Sequence, residues 1–351
     1  MFADGGNRES VHALGLISGG LDSTLAAALL LKQGIQVTGL NFYTGFCTLE
    51  HRRRMKNADK EKLENPALKT EKKVMFPVEL IDISKDYLEL VTHPRYGYGK
   101  NANPCIDCRI MMLRRAKELM AEFAADFIFT GEVLGQRPMT QMQRTLDLIE
   151  KRADLKGYLL RPLSAKLLPP TIPEERGWLD REQLKDFRGR TRKPQIELAK
   201  QFGIEDYPQP AGGCCFLTDP GYSRKFFDLL DHRDERTVSI EDFELLKVGR
   251  HLRVKEDLKL VVGRNEAENA YLKRFRKNHI SLEALDYVGP LTLIEGEDSP
   301  ENRYLGAAVT ARYSDAPQDK IVKVKIVNRK CEDIIEIEPV SKEDTDGWLI
   351  R

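Results

Sequence analysis

Two strings hold the residue types that chemistry needs. The first is Ser18-Gly19-Gly20-Leu21-Asp22-Ser23. Its two glycines let the backbone approach an anion without a Cβ in the way. The N–H groups of such a turn, and of a helix that starts from it, point at bound phosphate. The Ser18 and Ser23 hydroxyls add hydrogen bonds. The Asp22 carboxylate would repel phosphate, so its role is indirect, through Mg²⁺. A plain Gly-containing turn is the ordinary alternative, but the full six-residue string favours phosphate binding. The string lacks the Gly-Lys-Ser/Thr ending of the Walker loop, and it is not the dinucleotide fingerprint.

The second set is thiols. The chain has six cysteines, at 47, 105, 108, 214, 215 and 331. The polar N-terminus lacks the basic-then-apolar order of a signal peptide, so a cytoplasmic protein is expected. In that reducing setting, thiols serve as ligands, nucleophiles or core more often than as structural disulfides. Cys105 and Cys108 lie three apart at an expected helix start, where the helix dipole and Arg109 favour thiolate. Gly212 and Gly213 allow a tight turn that brings a further thiol close. Cys214 and Cys215 both follow these glycines. The pattern admits half a zinc site, a redox pair, an incidental pair, or three ligands of a [4Fe-4S] cluster with one open iron. A closed zinc site wants four Cys/His ligands, and the six histidines contain no His-x₃₋₅-His run. Soft thiolates suit iron–sulfur. Cys47 reads as a buried core thiol and Cys331 as incidental.

Positioning these groups calls for a βαβ unit. Val11–Ile17 reads as a buried strand, residues 22–32 as a helix of strong formers ended by Gly34, and Val37–Phe42 as a second strand. Strand, turn, helix, strand implies a parallel sheet. Val78–Ile83 and Asp126–Thr130 are further strands, with an amphipathic helix over 109–123 between them. Residues 51–73 read as a loop or mobile helix. The proline-rich run 167–173 reads as extended. Later, Leu258–Val262, Leu291–Ile294 and Ile321–Val327 read as strands around a charged helix at 266–277. The fold class is therefore α/β: a parallel-sheet domain at 1–170, a basic connecting segment with the distal cysteine at 171–236, and a smaller α+β domain at 237–351.

The string SGGLDS resembles the PP-loop of the ATP pyrophosphatase superfamily (adenine nucleotide alpha hydrolase-like), whose members adenylate a substrate oxygen and release pyrophosphate. Asn103-Pro104-Cys105-Ile106-Asp107-Cys108-Arg109, TGEVLGQRP at 130–138 and LRPLSAKLL at 160–168 narrow the resemblance to tRNA thiouridine synthetases, in particular the short branch with a CxxC, a distal cysteine and a cluster. This likeness runs over about residues 10–225. It implies ATP on Ser18, Gly19, Gly20, Asp22 and Ser23, with Asn41, Phe42, Gly131 and Glu132 lining the nucleotide pocket. It implies a [4Fe-4S] cluster on Cys105, Cys108 and Cys214, with Cys215 as the alternative third ligand. Simple core packing is the competing role for Phe42. Arg137 and Arg161 are candidates for contacting phosphate or tRNA.

Net charge is only +1, from 56 Lys/Arg against 55 Asp/Glu, so any nucleic-acid surface must be local. Residues 185–193 hold five Lys/Arg and one acid, making Arg188, Arg190, Arg192 and Lys193 candidates for phosphate contacts. Residues 250–277 hold nine Lys/Arg against four acids. LKLVVGRNEAEN at 258–269 resembles the RNA-binding module of NFACT proteins, and marks Arg264 and Asn265, with Asn269, as RNA-binding candidates over about 240–350. No apolar run approaches membrane length. With only 17 residues before Ser18, an RNA-binding module is expected at the C-terminal end.

The activity that these resemblances imply is tRNA uridine thiolation. ATP adenylates the C2 or C4 oxygen, and sulfur carried by the cluster replaces it, giving 2-thiouridine or 4-thiouridine. The sulfur donor would be free sulfide or a cysteine desulfurase. Persulfide chemistry without a cluster, and a PP-loop amide or nitrile synthase acting on a small molecule, are the alternatives. An RNA-binding protein with a vestigial PP-loop is disfavoured by the intact string. The β-rich C-terminal domain is suited to a homodimer.

Overall fold

The structure, a computed structural model, describes residues 10–48, 51, 65, 67–68, 74–205, 207, 215–234, 237–329 and 331–351. The chain divides into two compact units, residues 1–44 with 59–214 and residues 45–58 with 215–351. Of the expected connecting segment, residues 171–205 thus fall in the first unit and 215–234 in the second.

The first unit is built on a five-stranded parallel sheet of β1 (His12–Leu16), β2 (Gln36–Tyr43), β3 (Val78–Asp82), β4 (Phe127–Thr130) and β5 (Leu159–Leu160), in the order β3-β2-β1-β4-β5. Its central strands are near-continuous apolar runs, because both faces of a parallel sheet are covered. In β1, Ala13 joins one core with Leu25, Val37 and Phe129, whereas Leu14 and Leu16 join another with Leu40, Leu113 and Ile128. The first core is closed by α1 (Leu21–Leu31), and the second by α3 (Cys105–Glu122), which follows the amphipathic α2 (Ser84–Thr92) with its buried Tyr87 and Val91, and by α4 (Gln143–Arg152). The chain steps outward from β1 to β3, then crosses back through α3 to place β4 on the other side of β1. Between β1 and β4 the strand order reverses, and α/β folds bind ligands outside the carboxyl ends of the strands at such a point.

Two expectations are corrected here. The helix expected at 109–123 starts at Cys105 with Pro104 at its N-cap, so both thiols lie inside the first helical turn. The run 167–173 is not extended throughout. It contains a 3₁₀ turn at Ala165–Leu167 and the short α5 (Ile172–Glu175), held by a capping box between Thr171 and Glu174. The unit continues into α6 (Lys193–Gln201).

The second unit carries a six-stranded antiparallel sheet, in the order β11-β10-β8-β9-β7-β6. The strands are β6 (Arg250–Lys255), β7 (Leu258–Val262), β8 (Ile280–Ala284), β9 (Thr292–Glu295), β10 (Val322–Val327) and β11 (Glu332–Ile337). Before the sheet come α7 (Pro220–Asp231) and α8 (Ile240–Leu245); α9 (Glu266–Leu272), α10 (Pro300–Arg312) and α11 (Lys342–Trp348) complete the unit. Leu260 and Val262 point into the core under α10, while Val261 points to the opposite core with Tyr271 and Phe275. The charged helix expected at 266–277 ends at Leu272 and finishes as a 3₁₀ turn. No helix among the described residues is long and apolar enough to cross a membrane.

Candidate nucleotide and thiol site

The Ser18–Ser23 string forms the turn that leads from β1 into α1. Gly19 takes a left-handed φ of 75°, a conformation that favours glycine, and Gly20 is the extended N-cap of α1. The hydroxyls shape the turn from within. Ser18 Oγ accepts from the Gly20 N–H at 3.3 Å, and the Ser23 and Thr24 hydroxyls each donate to the Gly20 carbonyl at 3.0 Å. Next door in β2, Asn41 Nδ2 donates to the Ile17 carbonyl at 2.7 Å and so fixes the residue that enters the turn. Phe42 packs against the core cluster of Leu40 and Ile110.

Asp22 sits at the reversal point. Its Oδ2 accepts from Gln136 Nε2 at 2.7 Å and lies 3.8 Å from Arg192 Nη2. Gln136 in turn accepts at 2.9 Å from Nε2 of Gln195, which is fully buried. Asp22 Oδ1 is buried and has no hydrogen-bond partner among the described residues. A buried carboxylate oxygen left open beside a phosphate turn suits a divalent cation. Gln136 and Gln195 were missed as site residues. Gln136 lies inside the TGEVLGQRP string, whereas nothing in the pattern marks Gln195.

At the end of β4, Gly131 abuts the backbone of Asp22 and Ser23. Glu132 is buried and its carboxylate is shared by two guanidinium groups, Arg109 Nε at 3.2 Å and Arg161 Nε at 3.2 Å. Arg161 also binds Glu150 at 3.0 Å. Arg161 is 4% exposed. That corrects its expected part in phosphate or tRNA contact, because its guanidinium is used up inside the protein. Arg137 is exposed.

Cys105 and Cys108 are both half-buried, one turn apart on α3, and Arg109 ties that turn to Glu132. Residues three apart share a helix face, so the two thiols suit a common soft metal or cluster. Cys214 lies outside the described residues. Cys215 belongs to the second unit. Among the described residues no group of three His, Cys, Asp or Glu side chains converges on one point.

Of the basic segment, Arg188, Arg190 and Lys193 are exposed and Arg192 is half-buried toward Asp22. The loop is docked by a bridge between Leu134 and Arg188 and by the Gly189 N–H donating to the Leu134 carbonyl at 2.8 Å. In the second unit, Asn265 caps α9 by accepting from the Glu268 N–H at 3.0 Å. Arg264 Nε donates to Glu268 Oε1 at 2.9 Å. Burial raises the Glu268 carboxyl, but the hydrogen bonds from Arg264 outweigh it and hold the group below its ordinary pKa. Asn269 Oδ1 accepts from the Leu291 N–H at 3.0 Å. The Gly-Arg-Asn motif therefore fixes its own turn, while the Arg264 side chain stays half-exposed.

Residues 8–166 match the family model described as thiamine biosynthesis protein (ThiI). The N-terminal domain is a ThiI-family domain. Its PP-loop, CxxC turn and β4 end all fall within the match. Residues 249–349 match the model of the NFACT protein RNA binding domain, so an RNA-binding-type domain follows the ThiI domain. Among curated proteins, the chain is 33% identical over 148 residues to a probable tRNA sulfurtransferase of Thermococcus kodakarensis, covering 42% of this chain and 35% of that one. It is 34% identical over 252 residues to the tRNA-specific 2-thiouridylase MnmA of Syntrophotalea carbinolica, covering 68% of this chain and 64% of that one. The chain thus spans about a third and under two thirds of the length of these two relatives. A solved 4-thiouridine synthetase–RNA complex with bound ATP aligns at 20% identity and a TM-score of 0.31, covering 55% of this chain and 52% of that one.

Proposed function

We propose that this chain is an ATP-dependent tRNA uridine sulfurtransferase. The observation that carries the reading is the PP-loop of a ThiI-family domain, set at the reversal point of the sheet with an open Asp22 oxygen. The N–H groups of the Gly19–Gly20 turn and the start of α1 hold the phosphates. Asp22, through its open Oδ1, would hold Mg²⁺, which would supply positive charge beside the phosphates. Asn41, Phe42, Gly131 and Glu132 form the surroundings of the nucleotide. A uridine flipped from its stack presents its C2 or C4 oxygen to the α-phosphorus and pyrophosphate leaves. A sulfur nucleophile then attacks the same carbon and AMP leaves.

Cys105 and Cys108 fit two positions of a [4Fe-4S] cluster, with Cys214 as the third ligand and Cys215 as its alternative. Such a cluster, when bound, supplies an open iron that can carry sulfur. The sulfur donor is free sulfide or a cysteine desulfurase. Arg264 and Asn265 belong to an RNA-binding surface of the second unit, for which the NFACT-type match is the support; in the first unit, Arg188, Arg190, Arg192 and Lys193 form a basic stretch that suits tRNA phosphates. Persulfide transfer by the same thiols is the second reading, supported by the two half-buried thiols three residues apart on α3.

The test is release of AMP and pyrophosphate from ATP with and without tRNA. The reading expects release that depends on Mg²⁺ and is stimulated by tRNA. ATP turnover indifferent to tRNA would point instead to a small-molecule synthase.

A further inference from the structure

Cys47 has no part in that reaction, yet it stands directly opposite Cys215 in an isolated antiparallel bridge. Both residues belong to the second unit. The Phe216 N–H donates to the Phe46 carbonyl at 2.9 Å. That bond lies one residue outside the pair on each arm, so the two cysteines occupy a non-hydrogen-bonded position. Opposed Cα atoms there approach to about 4.5 Å with the side chains close together, within the roughly 4.4–6.8 Å that a disulfide spans. Both cysteines are half-buried.

The two arms are held by one set of side chains. Phe46 packs on Phe243 with ring centroids 5.4 Å apart, and Phe216 packs on Tyr222 at 5.3 Å and on His51 at 5.1 Å. The Lys247 ammonium donates to the Gly45 carbonyl at 2.6 Å and lies 5.6 Å from the centre of the Phe216 ring. The arms therefore cannot part without breaking this cluster. Burial first, and the charge of Cys215 next, push the Tyr222 phenol up. Two thiols opposed at that spacing suit sulfur–sulfur chemistry.

The geometry points to Cys47 and Cys215 as a thiol–disulfide exchange site whose co-reactant is a low-molecular-weight disulfide. The thiolate of one cysteine attacks a sulfur of the small disulfide, and one small thiolate leaves and takes up a proton. The other cysteine's thiolate then attacks the protein sulfur of the mixed disulfide and expels the second small thiol. Two protein thiols are oxidised to one S–S bond, and the small disulfide is reduced to two thiols that take up the two protons. The bond closes the stretch that contains β3, β4 and β5. Closing so long a loop restrains the unfolded chain, so the oxidised form melts higher. This inference needs neither ATP nor RNA; it leaves Cys214 as the third cluster ligand of the thiolation reading and takes Cys215 out of that role.

The full-length protein is equilibrated against mixtures of oxidised and reduced glutathione, alkylated, and digested without reduction. The expected product is a peptide joining Cys47 to Cys215, with fragment ions placing the bond on Cys215 and not on Cys214. Alkylation of both thiols falls by about tenfold or more as the mixture becomes oxidising, while the exposed Cys331 forms only a mixed disulfide. The oxidised protein melts at the higher temperature, and in Cys47→Ser the Cys215 thiol stays open to alkylation. No joined peptide in the wild type at any ratio overturns the inference, whether or not the variant folds. So does protection of Cys215 in Cys47→Ser, or a lower melting temperature for the cross-linked form.

Discussion

Gly131 lies so close to Asp22 that a Cβ on Gly131 would stand 2.5 Å from the Asp22 carbonyl carbon. The end of β4 and the start of α1 are thus in backbone contact, and only glycine leaves room for it. The carboxyl end of the sheet, where the phosphate turn lies, takes its shape from that contact.

Gly131→Ala must move one backbone away from the other. Overpacking of this kind costs about 1–3 kcal/mol, and displacing reacting groups by about 1 Å can cost about 100-fold in rate. The expected result is a folded protein whose kcat/KM for ATP falls by about that factor. Steady-state AMP release, with circular dichroism as the folding check, measures it. Unchanged turnover would mean that this contact does not shape the nucleotide site.

The Asp22–Gln136–Gln195 chain makes a graded expectation. Gln136→Ala removes the amide that orients Asp22. A hydrogen bond to a charged group is worth about 1.5–3 kcal/mol, so the Mg²⁺ concentration needed for half-maximal ATP turnover should rise by about tenfold or more. Gln195→Leu, one bond further out, should shift it less. Magnesium titrations of both variants would read this. Equal shifts would contradict the chain.

Glu132 holds the buried Arg161 and the partly exposed Arg109 at once. Leaving a buried charge without its partner costs about 3–5 kcal/mol. Glu132→Ala should lose stability in that range in denaturant unfolding, with Glu132→Gln losing less. A loss of ATP binding at unchanged stability would instead make Glu132 a direct nucleotide contact.

Much of this was legible in the sequence, for physical reasons. The apolar runs of β1, β2 and β4, with glycine turns after them, define buried parallel strands. Ser18–Ser23 is recognisable because phosphate binding limits which residues fit. Glu132 was not legible as an ion-pair centre, because its arginines come from 23 residues before it and 29 after it in the chain. Gln195 is a polar residue on a helix whose burial only tertiary packing sets. The Gly263-Arg264-Asn265 motif reads as a ligand contact, and its spacing does not reveal that Asn265 Oδ1 also caps α9. The pairing of Cys47 with Cys215 is a long-range register that no local spacing encodes.

Lys225 makes stability depend on pH in the second unit. Its Nζ donates to the Leu246 carbonyl at 3.1 Å and the Gly249 carbonyl at 3.4 Å. Burial, then the charge of Arg264, lower its pKa to about 8, with Lys259 adding to them and Glu268 and Asp219 opposing. Between that value and the ordinary lysine value, the unfolded chain holds a proton that the folded one lacks. Stability therefore rises with pH across that window, by on the order of 3 kcal/mol over its full width. Lys225→Met should lack this rise, as unfolding curves at several pH values would show. A parallel pH profile in wild type and variant would contradict it.

The measurement that bears most directly on the central claim is thiouridine in tRNA after anaerobic incubation with the protein, ATP, Mg²⁺ and sulfide, read by mass spectrometry of the digested nucleosides. Iron and acid-labile sulfide are determined on the same preparation. The account expects 2-thiouridine or 4-thiouridine to form with AMP. In Cys105→Ala, it expects thiouridine, iron and sulfide all to be lost while ATP binding persists. ATP consumed with no sulfur in any uridine, in the presence of sulfide or a cysteine desulfurase, would contradict it.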